Sequence, residues 1–304
     1  MPLYRLSDLK DFLDDVGVQA KRSMSQNFLV DGNIVKNSID IAAVIADDVI
    51  VEIGSGPGVF TEELLCRGAT VVAIEKDDVF ARALTRLQTA DNRLHIVADD
   101  ALTTDITAHI SPLLRGGAKA KIVASIPYSI TTPLLQRCIA LRDIFSCAVF
   151  IVQDDVASKA VSRPGDKNYS FLSVFLKNYC HVKYSFTIKN SCFYPRPKVS
   201  SAALSLEFRD EPLLSEELLG HVREAFLQRR KMLRSSLKEY YSSESIMAAL
   251  ESIGKPSTAR PEELSLEDFV NIFQILIIDN EKQSHESFRR QDFSPQSHRE
   301  HREK

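Results

Sequence analysis

Near the start of the chain, apolar residues recur at helical spacing. Leu6, Leu9, Phe12 and Leu13 fall on one face, so residues 1–20 are expected to form an amphipathic helix. KRSMSQNFLVDGN reads as a loop before a second helix. From residue 49 the pattern alternates. VIVEI is a short β-rich run that ends in GSGPG and leads into helical VFTEELLCRG. TVVAIE is a second strand, followed by helical DVFARALTRLQ, and LHIVADDA is a third. KIVASIPY precedes helical TTPLLQRCIALRD, and CAVFIVQ precedes helical DDVASKAVS. Strands alternating with helices predict a parallel sheet covered on both faces. HVKYSFTI and SAALSLEF come last and are expected to pair antiparallel at the sheet edge.

The β signal stops after about Arg209. LSEELLGHVREAFLQRRKMLRSSLK, SSESIMAALESIG and SLEDFVNIFQIL read as helices punctuated by Gly254 and Pro256. The expected organisation is an α/β domain over 1–209 and a small C-terminal helical domain over 210–278. Residues 279–304 are polar and aperiodic and read as a disordered tail.

With 304 residues, 44% of them hydrophobic, the chain can bury a large core without covalent staples. The five cysteines are odd in number and none is at CxxC spacing, which argues against a disulfide framework or a zinc site. A net charge of −3 means that any nucleic-acid site must be a local patch. The N-terminus carries four aspartates and no apolar signal core, and runs such as AVFIV are too short to span a bilayer.

Gly54, Gly56 and Gly58 lie between a strand and a helix, where a tight turn and free N–H groups favour a bound ligand. Glu75 ends the next strand, 21 residues after Gly54, and a carboxylate there can accept both hydroxyls of a ribose. Asp100 ends the third strand and can accept from an adenine amino group. Each of these features alone is an ordinary turn or strand end. Together they fall at the carboxyl ends of successive strands, where open α/β sheets bind ligands. A dinucleotide competes as the ligand, but GxGxG is not the dinucleotide spacing and no second α/β half is evident.

VEIGSGPG, the Glu75 strand end and SIPY, in this order, resemble class I S-adenosylmethionine-dependent methyltransferases. SQNFLVD, FYPRPKVSSA and FLQRRKMLRSSL narrow the resemblance to the ribosomal RNA adenine dimethyltransferases, and within them to the small-subunit (16S) branch, over about residues 10–276. The resemblance implies a Rossmann-like, mostly parallel sheet with an antiparallel edge. It also implies dimethylation of N6 on two adjacent adenines near the 3′ end of small-subunit rRNA, late in subunit assembly; the unpaired cysteines are expected to be reduced thiols of a cytoplasmic protein, and a monomer is expected. By the family's motifs, Asn27 and Leu29 line the methionine end of S-adenosylmethionine, Gly54 and Gly56 lie under it, Glu75 holds its ribose and Asp100 its adenine. SQNFL taken alone reads as an Asn cap beside buried Phe28 and Leu29.

Adenine N6 is a poor nucleophile because its lone pair is delocalised into the ring. Ser125 is expected to accept from one N–H and the Ile126 carbonyl from the other, with Pro127 holding the turn rigid. Tyr128 stacks on the base, and Phe193 is the candidate for its opposite face. The family usually carries asparagine at 125; Ser125 has a hydroxyl acceptor on a shorter arm. Ser25 and Phe171 also depart from the family, which often has glycine and arginine there.

Arg229, Arg230, Lys231, Arg234 and Lys238 have no acid between them. On one helix they would form a phosphate-binding sector beside Phe226, Leu233 and Leu237, with Arg196 and Lys198 adding charge near the base. A solvated face is the plain alternative. Three functional readings compete with the main one: a large-subunit rRNA dimethyltransferase, an assembly factor whose activity is weakened at Ser125, and a nicotinamide enzyme.

Overall fold

The computed structural model describes residues 3–17 and 26–278. Ser25 and the segment 279–304 lie outside the described residues. Contacts divide the chain into two units, one of residues 1–162 with 175–212 and the other of 163–174 with 213–304. The helical unit is therefore made of two separate stretches of chain.

The first unit opens with α1 (Leu6–Asp15), which buries Leu9 and Leu13 while Leu6 is 43% exposed. Strand β1 (Phe28–Leu29) follows, inside the segment expected to be loop. α2 (Gly32–Ile41) is capped by Asp31, whose carboxylate accepts from the Asn33 and Ile34 N–H groups. The cap thus belongs to Asp31 and not to Asn27.

β2 (Val49–Ile53), β3 (Thr70–Glu75), β4 (Leu94–Ala98), β5 (Ala120–Ser125) and β6 (Phe145–Gln153) run parallel. Between them lie α3 (Val59–Cys66), α4 (Asp78–Ala83), α5 (Ile106–Ile110), α6 (Thr131–Ala140) and, after β6, α7 (Asp154–Val161). α5 escaped the periodicity reading because it is only five residues long. α4 is shorter than expected and continues as a 3-10 turn, Leu84–Leu87.

α8 (Phe171–Tyr179) leads into β7 (Cys180–Ile188). The two-residue strand β8 (Phe193–Tyr194) and β9 (Ser201–Phe208) follow. The sheet order is β4-β3-β2-β5-β6-β9-β7, with β9 antiparallel to both β6 and β7. β2 and β3 are buried almost throughout, as strands covered on both faces must be. The connection after β2 runs to one side of the sheet and that after β5 to the other. This leaves a switch point, and hence a crevice, at the carboxyl ends of β2 and β5.

The helical unit contains α9 (Glu216–Leu227), α10 (Leu233–Ser236), α11 (Ser243–Ser252) and α12 (266–278). The long basic helix read from the sequence is in fact two helices separated by a turn over 228–232. A local turn bond and a tertiary bond fix the break: the Lys231 N–H donates to the Gln228 carbonyl at 2.7 Å and the Leu233 N–H to the Ala259 carbonyl at 2.8 Å. Phe226, Phe269 and Phe273 form an aromatic row in the core. The 163–174 segment is stitched to this core. The Tyr169 hydroxyl donates to the Leu264 carbonyl at 2.8 Å, its ring packs edge-on to Phe226, and the Gly165 N–H donates to Glu262 at 2.9 Å.

Candidate active site

The crevice holds a cavity of about 270 Å³, and every site residue expected from the sequence lines it: Asn27, Leu29, Gly54, Gly56, Glu75, Asp100, Ser125, Ile126, Pro127, Tyr128 and Phe193.

The floor is the loop that leaves β2. Gly56 has φ +51°, and a Cβ there would come within 3.2 Å of the Phe28 ring. Only glycine combines that backbone with that approach. Its N–H donates to a Glu75 carboxylate oxygen at 2.7 Å, and the Asp77 N–H donates to the other at 2.8 Å. Glu75 thus braces the loop and still has a lone pair on each oxygen for a ligand. Burial raises its carboxyl pKa, against the lowering effect of these backbone bonds.

Asp100 is more exposed. Lys76 Nζ lies 2.7 Å from one oxygen and the Leu102 N–H donates to the other at 2.9 Å. The Lys76 bond, then the backbone bond, hold its pKa below the ordinary value.

Ser125 ends β5. The Ile126 N–H donates to the Ile151 carbonyl at 3.1 Å, and the Ile130 N–H donates to Pro127 at 3.1 Å, so the turn is held from both sides. The Tyr128 hydroxyl pairs with the Ser201 hydroxyl at 2.7 Å. The opposite wall is the β1–β8 ribbon, where Leu29 faces Phe193 and Phe28 faces Tyr194. Two motifs more than 160 residues apart thereby share one short ladder.

Glu52 was not singled out from the sequence, although a carboxylate inside VIVEI was a visible anomaly. It is 2% exposed and accepts from the Thr61 hydroxyl at 2.5 Å. Burial pushes its carboxyl up to about 8, only partly offset by the Thr61 hydrogen bond. The Ser55 Oγ is buried in the cavity wall and lacks a hydrogen-bond partner among the described residues.

The charged residues of the lining are Glu75, Asp99 and Asp100 against Lys76 alone, since burial keeps Glu52 protonated. Such a wall repels a pyrophosphate and favours a cation, which removes the support for a nicotinamide dinucleotide. The glycine cradle, the unpartnered Ser55 hydroxyl and the acidic wall fit an adenosine ligand bearing a positive sulfur.

The profile of ribosomal RNA adenine dimethylases matches residues 17–277. The chain belongs to this family. It is an S-adenosylmethionine-dependent methyltransferase with the Rossmann-like fold that its sheet order shows. It is 42% identical to the ribosomal RNA small subunit methyltransferase A of Protochlamydia amoebophila, over 91% of this chain and 98% of that protein. It is 38% identical to the protein of the same name from Chlamydia muridarum, over 89% and 97%. Among solved structures, a dimethyladenosine transferase from Plasmodium falciparum superposes with a TM-score of 0.70 at 25% identity, covering 84% of this chain and 98% of that one. The 23S rRNA methyltransferase ErmE superposes with a TM-score of 0.66 at 26% identity, over 82% and 99%.

The basic segment is divided by the structure. Arg229 is engaged inside the helical unit. Its Nε donates to Glu262 at 2.7 Å, and its terminal nitrogens donate to the carbonyls of Tyr169 and Lys167 at 3.2 and 3.4 Å. Arg234 points at the Met247 sulfur at 2.7 Å. Arg230, Lys231 and Lys238 are exposed. The expected single helical sector of five cations is therefore not formed. Arg196 donates twice to Asn190.

Proposed function

We propose that this protein transfers methyl groups to N6 of two adjacent adenosines near the 3′ end of small-subunit rRNA, giving N6,N6-dimethyladenosine during late assembly of the small ribosomal subunit in the cytoplasm. The observation that carries this reading is that the SIPY turn, Phe193 and the acidic cofactor wall line one cavity. The choice of subunit rests on the named relatives, which match across nearly their whole length.

When bound, S-adenosylmethionine supplies an electrophilic methyl group on a positive sulfur. The chain's contribution is position and polarisation. Glu75 and Asp100 hold ribose and adenine, while Asn27, Leu29 and Gly54 enclose the methionine end. The Ser125 hydroxyl and the Ile126 carbonyl accept from the two N6 hydrogens and draw the nitrogen lone pair out of the ring. Tyr128 stacks on the base, an interaction worth about 1–3 kcal/mol, and Phe193 closes the other face. Exposed Arg230, Lys231 and Lys238 bind phosphates, and the rRNA is read by shape and splayed bases.

The test is incubation of the protein and S-adenosylmethionine with small subunits that lack these methyl groups, followed by digestion and mass spectrometry of nucleosides. Dimethyladenosine at the adjacent 3′-end adenines is the expected product. Methylation of large-subunit rRNA alone would move the substrate. Binding of cofactor and subunit with no product would favour the assembly-factor reading.

A further inference from the structure

We propose that Ser201 is a positioning residue that fixes the direction in which the Tyr128 ring projects along the cavity wall, an inference that rests on the base-stacking role given to Tyr128 above. Tyr128 is half-buried in the cavity wall, and its hydroxyl lies 2.7 Å from the Ser201 hydroxyl. Ser201 is fully buried and begins β9, paired with Gln153 of β6 on one side and Ile188 of β7 on the other. Its backbone cannot shift without disturbing three strands. The preceding residue is also tied down, because the Ser200 carbonyl accepts from the Asp154 N–H at 3.1 Å.

The first of a tyrosine's two side-chain rotations decides where the ring axis points and where the hydroxyl lies. At its root, Tyr128 follows Pro127, whose φ is fixed, and the turn is held by the bond from Ile126 to Ile151. At its tip it is pinned by Ser201. A ring axis held at both ends has less freedom to lose when a base stacks on the ring, and it keeps the ring at one place in the wall for both successive methyl transfers. Burial raises the Tyr128 pKa while the Ser201 bond lowers it, so the phenol stays neutral and the bond intact across physiological pH.

Ser201 is not among the residues that line the cavity, so its effect is exerted through Tyr128. The test is a double-mutant cycle of Ser201→Ala and Tyr128→Phe, read as single-turnover methylation of saturating unmethylated small subunits. S-adenosylhomocysteine affinity and melting temperature are measured alongside. Losing one neutral hydrogen bond is expected to slow each single variant about 2- to 10-fold. The double variant is expected to be no slower than either single, with cofactor affinity unchanged in all three. Tyr128→Phe reports on the same bond from the half-buried end if Ser201→Ala proves unstable. Additive losses, or a loss of cofactor affinity equal to the loss of rate, would overturn the inference. Tyr128→Ala separates it from the reading beneath. A large loss there with wild-type rates for Tyr128→Phe and Ser201→Ala removes only the role of Ser201, whereas no loss in Tyr128→Ala removes the stacking role itself.

Discussion

The Glu75 carboxylate accepts a hydrogen bond from the Gly56 N–H at 2.7 Å, so the acid at the end of β3 also fastens the glycine loop at the end of β2. The side chain shapes the cradle, and the ribose contact proposed above would give it a second function. Glu75→Ala is expected to weaken S-adenosylhomocysteine binding by at least about tenfold, because bonds to a charged acceptor contribute about 1.5–3 kcal/mol each. Isothermal titration calorimetry reads this directly, and an unchanged Kd would refute the assignment.

Gly58 precedes α3 with φ +85°, and a Cβ there would lie 2.7 Å from Leu84 Cδ2 and 3.0 Å from Leu87 Cδ1. Gly58→Ala is expected to cost at least roughly 1–2 kcal/mol from the left-handed backbone alone. A drop in melting temperature of several degrees should accompany it, and a variant that melts with the wild type would contradict the geometry.

Glu52 gives a pH signature. Its carboxyl is raised from 4.5 to about 8 in the folded state by burial. The folded protein therefore holds a proton that the unfolded chain releases above about 4.5. Its contribution to stability is full below the unfolded value and is lost as pH rises toward 8. Urea unfolding of wild type and Glu52→Gln at pH 5, 6.5 and 8 should show wild type losing ground to the variant with rising pH. Parallel profiles would count against a buried neutral Glu52.

Arg229 and its neighbours separate into two classes. Arg229→Ala breaks an ion pair and two backbone contacts and is expected to lower the stability of the helical unit with rRNA contacts intact. Arg230→Ala and Lys231→Ala should leave stability near wild type and reduce the salt dependence of rRNA binding, each by a slope of about 0.7–0.9. Filter binding across salt concentrations and thermal melting together resolve the classes, and the reverse pattern would exchange the assignments.

At 125 a longer acceptor reaches farther into the cavity. Ser125→Asn is expected to raise the single-turnover rate of the first transfer, the second, or both. Equal or slower rates would show that this site is built around the hydroxyl.

The α/β half was legible because its central strands are apolar runs separated by helical periods, with Gly54 directly after β2 and with Glu75 and Ser125 ending β3 and β5. β1 was not legible: two residues carry no period, and Phe28–Leu29 becomes a strand only because Phe193–Tyr194 lies opposite. The turn at 228–232 contains neither glycine nor proline, and its cause is a carbonyl at Ala259. Glu52 was visible in VIVEI, but its burial follows from β3 and β5 flanking β2. Arg229 read as one cation among five because its partner, Glu262, is 33 residues away.

The 163–174 segment also bears on how the protein is made. Tyr169 leaves the translating ribosome 95 residues ahead of Leu264, the carbonyl that receives its hydroxyl. At about 5–20 residues per second, that is a wait of roughly 5–20 s. Through this interval a large aromatic side chain from the middle of the chain has no home, while the strands before it can already pair. The nascent protein must carry an unfinished loop until its last helices emerge. A chain cut short before Leu264 would keep that loop open permanently and present it to chaperones and proteases.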